Sequence, residues 1–191
     1  MAFQVNPLGR MVNNYLMKWA LPLAGWFIVE YLVRNASSTN MMLGLLSFPM
    51  MMVTVWALWW IIRKLRREIL ADCIHGIQAW SFGVQLMFFA GLIEALFIYI
   101  YNEYLFPGNL VAVQQAAIAQ YESVLGQLTE MGAYQSWIPK FQETLDAMKE
   151  MPLQSAIDTA IGSLSNDIFA GMFIMIPLAL ILRKRPKADI S

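Results

Sequence analysis

The sequence has almost none of the residues that form the common disulfide and metal sites. It contains a single cysteine, Cys73, and a single histidine, His75. One cysteine cannot form a disulfide within the chain, and zinc sites of the multi-cysteine or histidine-rich kind need more ligands than these. No nucleophile–base pair and no phosphate-binding loop stands out. We therefore predict no metal, no cofactor and no catalytic residues.

Charged residues are scarce as well. They make up 14% of the chain, whereas 59% of its residues are apolar, and the mean hydropathy is +0.52. A soluble domain has about 25% charged and about 45–50% apolar residues, so the chain departs from that class in both directions. The formal net charge is zero, which leaves no overall field to attract a nucleic acid. The composition predicts a membrane protein without a nucleic-acid partner.

Four apolar runs are long enough to cross a lipid bilayer, whose hydrocarbon core needs about 20 helical residues. Residues 1–105 hold three of them, at about 16–33, 41–62 and 77–105, and residues 161–191 hold the fourth run and a basic tail. The predicted fold is therefore an all-α membrane protein with four transmembrane helices. Pro49 lies in the middle of the second run and predicts a kink there.

Residues 106–160, between the third and fourth runs, form a polar insert. After Asn109 its apolar residues recur every seven positions, which is typical of an amphipathic helix that begins with an asparagine cap. A second helical pattern covers residues 136–151. The sequence thus predicts a helical insert that lies outside the membrane and joins the last two transmembrane helices.

The distribution of lysine and arginine predicts the orientation of the chain. Four crossings place both termini on one side of the membrane. Ten of the 13 basic residues then share that side, and only Arg34, Lys140 and Lys149 lie on the other. Because cytoplasmic loops carry an excess of basic residues, we predict that both termini are cytoplasmic and that the insert is extracytoplasmic.

Five ionisable side chains fall in or near the outer half of the predicted helices: Glu30, Arg34, Glu94, Glu103 and Asp167. A charged side chain in hydrocarbon costs roughly 2.5–3.5 kcal/mol on insertion scales, so we predict that they form one polar cluster. Two interpretations remain open. In the first, Asp167 caps its helix, Glu30 pairs with Arg34, and Glu94 is protonated or hydrogen-bonded between helices. In the second, Glu94 and Asp167 line a wet cavity that opens outward and binds a proton, a cation or a partner's basic group.

The third predicted helix carries Gly83, Ala90, Gly91 and Glu94 along one side. Small residues let a neighbouring helix approach closely. Gln78, Ser81 and Gln85 share roughly the opposite face. Because polar groups on two sides disfavour contact with lipid on either side, we place this helix in the centre of the bundle.

A basic group follows the second predicted helix and consists of Arg63, Lys64, Arg66 and Arg67. Such a group beside a membrane marks the cytoplasmic side and attracts anionic lipid headgroups. We predict that these four residues contact anionic lipids.

One stretch of the chain resembles a known family. It is the run Gly-Val-Gln-Leu-Met-Phe-Phe-Ala-Gly-Leu-Ile-Glu-Ala-Leu-Phe-Ile-Tyr-Ile-Tyr at residues 83–101, followed by Pro107-Gly108. With the four-span layout and the long loop before the last span, it is similar to a family of uncharacterised four-span inner-membrane proteins of the Bacteroidota, a domain of unknown function. The resemblance implies a bacterial inner-membrane location and no established activity. Members are often encoded near polyprenyl-phosphate glycosyltransferases, which implies an envelope-related partner.

Three functions are compatible with this sequence. The absence of catalytic motifs favours a non-enzymatic accessory or scaffold subunit of an envelope-related membrane complex, bound to a membrane-protein partner or to a second copy of the chain. The intramembrane acids, with Pro49 and Pro177, favour a small transporter or channel subunit. The third function is a membrane-embedded protein that acts on lipid-linked substrates.

Overall fold

The computed structural model describes residues 7–37, 41–130 and 136–184. In these ranges the chain forms seven α-helices and a single isolated β-bridge. The helices are α1 (Pro7–Ser37), α2 (Met41–Gly44), α3 (Ser47–Glu68), α4 (Gly76–Ile100) with a π-helical turn (Tyr101–Leu105) at its end, α5 (Asn109–Glu130), α6 (Ile138–Glu150) and α7 (Ala156–Leu182). By length and hydropathy, α1, α3, α7 and α4 with its π-helical turn can each cross a membrane. The predicted all-α fold with four membrane-spanning helices is therefore confirmed.

The prolines lie differently from the prediction. The chain turns at residues 45–46 and α3 begins only at Ser47, so Pro49 falls in the first turn of a helix. The first-turn N–H groups have no acceptor within a helix, and a proline there costs no hydrogen bond. The predicted mid-helix kink at Pro49 is therefore wrong. The prolines inside transmembrane helices are Pro22 in α1 and Pro177 in α7.

Close contact between α4 and α7 forms the centre of the bundle. A Cβ added at Gly83 would lie 2.3 Å from Sδ of Met175, and one added at Gly171 would lie 2.9 Å from Cβ of Met87. Each glycine therefore receives a methionine from the facing helix, as small residues do at membrane helix interfaces. The other side of α4 packs against α1, in a core that includes Leu16, Leu23 and Leu86. The predicted central place of this helix is confirmed.

At one end of the bundle, amide side chains join the helices. Asn102, in the π-helical turn, is only 3% exposed and donates to the hydroxyl of Tyr31 at 2.8 Å. Asn109 donates to Asn102 at 2.8 Å and accepts from Asn35 at 2.9 Å. Asn109 is the first residue of α5 rather than the predicted cap before it, and its side chain belongs to this network. The start of α5 is thereby tied to the ends of α1 and α4.

Helices α5 and α6 pack against each other as the α5–α6 hairpin (109–150). The rings of Tyr121 and Phe141 lie 6.0 Å apart, and Lys149 Nζ lies 2.6 Å from Glu122 Oε1. Leu145 is buried, whereas α5 has no buried residue. A hairpin with so little core of its own depends on its attachment to the bundle for stability.

At the opposite end, the α3–α4 loop holds the end of α7. The backbones of Ile74 and Lys184 form an antiparallel bridge, with N···O distances of 3.1 and 3.0 Å. Asp72 pairs with Lys184 and with Arg66, whose Nε lies 3.0 Å from Oδ1 of Asp72. Nη1 of Arg66 also donates to the carbonyl oxygen of Leu182 at 3.0 Å. We call this arrangement the Asp72 clasp.

We predict that Gly171→Ala destabilises the protein and that Gly162→Ala, in the same helix, does not. A Cβ at Gly171 would crowd the Cβ of Met87, whereas a Cβ at Gly162 would meet nothing within 4 Å. Overpacking of this kind costs about 1–3 kcal/mol. The measurement is the midpoint of thermal unfolding in detergent, which should fall for Gly171→Ala alone. Equal midpoints for the two variants would contradict the close packing of α4 on α7.

We predict that acid loosens the Asp72 clasp. Hydrogen bonding to Lys184 and the charges of Lys184 and Arg66 lower the pKa of Asp72 below its ordinary value of 3.8. A carboxyl group whose pKa is lowered by folding stabilises the fold above its ordinary pKa, and that contribution is lost as the pH falls through the lowered value. Hydrogen exchange at Ile74 and Lys184, corrected for intrinsic rates, should therefore lose protection only below the ordinary pKa. In Asp72→Asn the protection of these two amides should be weakened at every pH, and full protection in that variant would refute the prediction.

Candidate functional site

Two of the predicted acids face each other between α4 and α7. Glu94 is only 1% exposed, and Asp167 approaches it across Gly91, one turn earlier on α4. A Cβ at Gly91 would lie 2.9 Å from Oδ2 of Asp167, so only glycine leaves room for that carboxyl group. Glu94 and Asp167 line the same cavity, so the two carboxyl groups are neighbours between α4 and α7. We call these two groups the carboxyl pair.

The carboxyl pair has fewer hydrogen-bond donors than its oxygens require. Oγ of Ser163 donates to Oε1 of Glu94 at 3.4 Å. Oε2 of Glu94 and Oδ2 of Asp167 are buried, and neither has a hydrogen-bond partner among the described residues. A buried acceptor without a donor is costly. A proton on either carboxyl group would turn that group into the donor that the other lacks.

A cavity of about 270 Å³ lies beside the carboxyl pair, between α1, α3, α4 and α7. We call it the carboxyl cavity. Phe27, Met51 and Met87 form part of its apolar wall. Its polar lining consists of Glu30, Arg34, Ser47, Thr54, Glu94, Asn166 and Asp167. Four of the five predicted cluster residues therefore meet at one cavity.

Arg34 is the cation at this cavity. Its field acts on Glu30, Glu94 and Asp167. Among the described ion pairs, none joins Arg34 to these three acids. The expected Glu30–Arg34 pair is therefore not formed as a direct contact, although the two side chains line the same cavity one helical turn apart.

Asp167 does not cap α7. The helix begins at Ala156, and Oγ of Ser155 accepts a hydrogen bond from the backbone N–H of Asp158 at 3.2 Å. The apolar run in the sequence starts later than the helix does, which led the prediction to place Asp167 near the helix start. Asp167 lies several turns into α7 and depends on Glu94 and Gly91 for its surroundings.

A second cavity, of about 380 Å³, lies where α1 and α7 meet the start of α5. We call it the hairpin-end cavity. Arg34 and Asn166 line both this cavity and the carboxyl cavity. Ser163 also lines it and bonds directly to Glu94. One layer of polar side chains therefore separates the carboxyl pair from the hairpin-end cavity.

Glu103 lies apart from these groups. It is exposed on the π-helical turn and lines neither cavity. The wider π-helical turn directs Asn102 inward to Tyr31 instead. The sequence pattern of the helix could not reveal this turn.

The four predicted lipid-contact residues do not share one environment. Arg67 is exposed, Arg63 lies over the ring of Trp59 at 4.9 Å, and Lys64 lies over the ring of Trp60 at 4.9 Å. Arg66 is different, because its side chain is 15% exposed and is bonded within the Asp72 clasp. Its contacts are with protein groups, and the prediction that it contacts lipid does not match this arrangement.

Sequence reasoning missed three polar residues of the carboxyl cavity, Ser47, Thr54 and Asn166. Thr54 is buried, accepts from Nε1 of Trp26 at 3.0 Å and donates to the carbonyl oxygen of Met50 at 3.3 Å. Its signal in the sequence is that it carries the one hydroxyl between Phe48 and Ile62. A lone hydroxyl in such an apolar run is typical of a contact between membrane helices.

Comparison with known proteins gives one family match. The family model described as "Protein of unknown function (DUF4199)" matches residues 19–184, which include all four membrane-spanning helices in whole or in part. No curated protein and no solved structure matches the chain.

Proposed function

The chain belongs to DUF4199, a family of proteins of unknown function, and it is a multi-pass membrane protein; from this premise we propose that its carboxyl pair binds and releases a proton within the membrane. The observation that carries the proposal is that two carboxyl groups line one cavity and that each has a buried oxygen without a hydrogen-bond partner among the described residues. An ionisable group inside a membrane helix is costly and usually marks an ion pathway or a proton relay.

Electrostatics favours one shared proton at this site. Two like charges about 4 Å apart repel by about 4 kcal/mol at an effective dielectric constant of about 20. A single proton removes that repulsion and supplies the missing hydrogen bond between Glu94 and Asp167. Losing the proton leaves two facing negative charges, which would push the groups apart. The pair thus has two states that differ in both charge and contact.

Arg34 and the two cavities suit the exchange of that proton. The field of Arg34 stabilises negative charge on Glu30, Glu94 and Asp167, so it offsets part of the cost of losing the proton. The hydroxyl of Ser163 joins Glu94 to the hairpin-end cavity. A proton could move between that cavity and the carboxyl pair through Ser163. This activity is that of a small transporter or channel subunit.

We predict that infrared spectroscopy detects the shared proton. The reconstituted wild-type protein should show the C=O band of a buried carboxylic acid, and this band should disappear reversibly as the pH is raised. The double variant Glu94→Gln with Asp167→Asn should lack the band, because an amide keeps the shape but cannot ionise. Glu103→Gln, which alters an exposed acid on the same continuous helix, should keep it.

Two results would count against the proposal. A wild-type spectrum identical to that of the double variant would show that the pair holds no proton. Proteoliposomes loaded with a pH-sensitive dye provide the second readout. If the band titrates but wild type and Glu94→Gln move protons at equal rates, the pair is a structural contact.

An accessory subunit is the second candidate, and the α5–α6 hairpin favours it. The exposed face of α6 carries Glu143, Asp146 and Glu150 around a shallow groove that also includes Pro139 and Gln142. An acidic face of this kind suits a basic surface on a membrane-protein partner or on an envelope component. In this role the four spans would anchor the hairpin.

We also propose that both termini face the cytoplasm of a bacterial inner membrane, so that the α5–α6 hairpin is extracytoplasmic. The ratio of ten basic residues to three on the two sides supports this orientation. The lone cysteine offers a built-in control, because Cys73 lies in the α3–α4 loop at the opposite end from the hairpin.

We predict that a membrane-impermeant maleimide labels Gln142→Cys in intact cells. Gln142 is exposed on α6, and Cys73 should react only after the membrane is permeabilised. The measurement is labelling of Gln142→Cys in a Cys73→Ala background beside labelling of the native protein. Labelling of Cys73 alone in intact cells would reverse the orientation.

A further inference from the structure

A third cavity lies far from the carboxyl pair. It has a volume of about 540 Å³ and lies between the start of α4 and the end of α7. Gly76 and Glu94 are separated by a rise of about 27 Å along α4, at about 1.5 Å per residue. We call this cavity the Trp80 groove. Its apolar wall consists of Ile77, Trp80, Ile176, Ala179 and Leu180.

The wall of the Trp80 groove is open to the surroundings of the bundle. Ile77 is 82% exposed and Leu180 is 58% exposed. Trp80 is fixed in place, because its Nε1 donates to the carbonyl oxygen of Met172 on α7 at 3.2 Å. A rigid aromatic wall between two transmembrane helices suits a hydrocarbon chain that runs alongside them.

One end of the groove is polar and cationic. The antiparallel bridge between Ile74 and Lys184 places the next residue, His75, opposite Arg183. Both residues line the groove, and no acid is among the described residues that line it. Arg183 is exposed and has no ion pair among those that the structure describes. The first N–H groups of α4 add partial positive charge beside His75.

The ends of two membrane-spanning helices meet between these two parts of the groove. His75 is the residue before the α4 span, and Arg183 is the residue after the α7 span. The apolar wall therefore lies at the depth of lipid chains, and the cationic end lies at the depth of lipid headgroups. We propose that the Trp80 groove binds one anionic phospholipid, with its phosphate at Arg183 and His75 and an acyl chain against Trp80.

This site is distinct from the Arg63–Arg67 group, whose members lie on α3 and include Arg66 of the Asp72 clasp. The clasp carries the bridge that sets His75 opposite Arg183. Asp72, the nearest acid in the loop, is paired with Lys184 and Arg66 and so opposes the anionic headgroup only weakly.

Native mass spectrometry of delipidated protein tests the proposal. The protein is titrated with phosphatidylglycerol or phosphatidylcholine in mixed micelles. Wild type should retain one phosphatidylglycerol in preference to phosphatidylcholine. Arg183→Gln should lower phosphatidylglycerol retention about fivefold, since one basic residue near an anionic surface contributes about 1 kcal/mol. Arg10→Gln removes an exposed charge of α1 that lies outside the groove and outside the basic group of α3, and it should leave retention unchanged.

A second variant separates the groove from the charge. Ile176 is exposed in the wall, so Ile176→Trp should fill the groove, lower phosphatidylglycerol retention and leave the unfolding midpoint intact. Three outcomes would overturn the proposal: equal retention of the two lipids by wild type, equal losses in Arg183→Gln and Arg10→Gln, or full retention in Ile176→Trp. Displacement of the lipid by inorganic phosphate alone would also overturn the proposal, because the acyl chain would then contribute nothing to binding.

Discussion

The close approach of α4 and α7 is the contact on which the rest of this structure depends. Hydrocarbon offers no hydrogen bonds, so polar groups in the spans must find partners inside the bundle. Gly83, Gly91 and Gly171 allow the two helices to meet without intervening side-chain bulk. That approach brings Asp167 to Glu94, and it brings the start of α4 within reach of the end of α7, where the Trp80 groove forms.

The two ends of the bundle are held by different chemistry. Neutral amides join α1, α4 and α5 at the hairpin end, through Asn35, Asn102 and Asn109. Charges and a backbone bridge join α3, α4 and α7 at the other end, through Arg66, Asp72 and Lys184. Neutral contacts are insensitive to salt and acid, whereas exposed ion pairs are screened and titrate. The hairpin end should therefore hold its geometry over a wider range of conditions.

Much of the fold can be read from the sequence, because lipid imposes simple rules. Apolar runs predict four spans, and the glycine-rich side of α4 predicts its central position. The carboxyl contact is harder, since Glu94 and Asp167 are far apart in the chain and meet only through the register of two packed helices. The Asp72 clasp is equally non-local, and it turns Arg66 inward although its sequence neighbours are those of a surface cluster. Pro49 was misplaced because the break at residues 45–46 consists of two leucines inside an apolar run, which hides the turn between Gly44 and Ser47.

The π-helical turn at Tyr101–Leu105 has a geometric consequence for the α5–α6 hairpin. Each residue of an α-helix rotates the chain by about 100°, so the number of residues in this turn sets the direction in which α5 leaves the bundle. Shortening it by one residue would rotate that direction by about 100° and break the contacts of Asn109 with Asn35 and Asn102. The direction of the whole α5–α6 hairpin therefore depends on the exact number of residues in this turn.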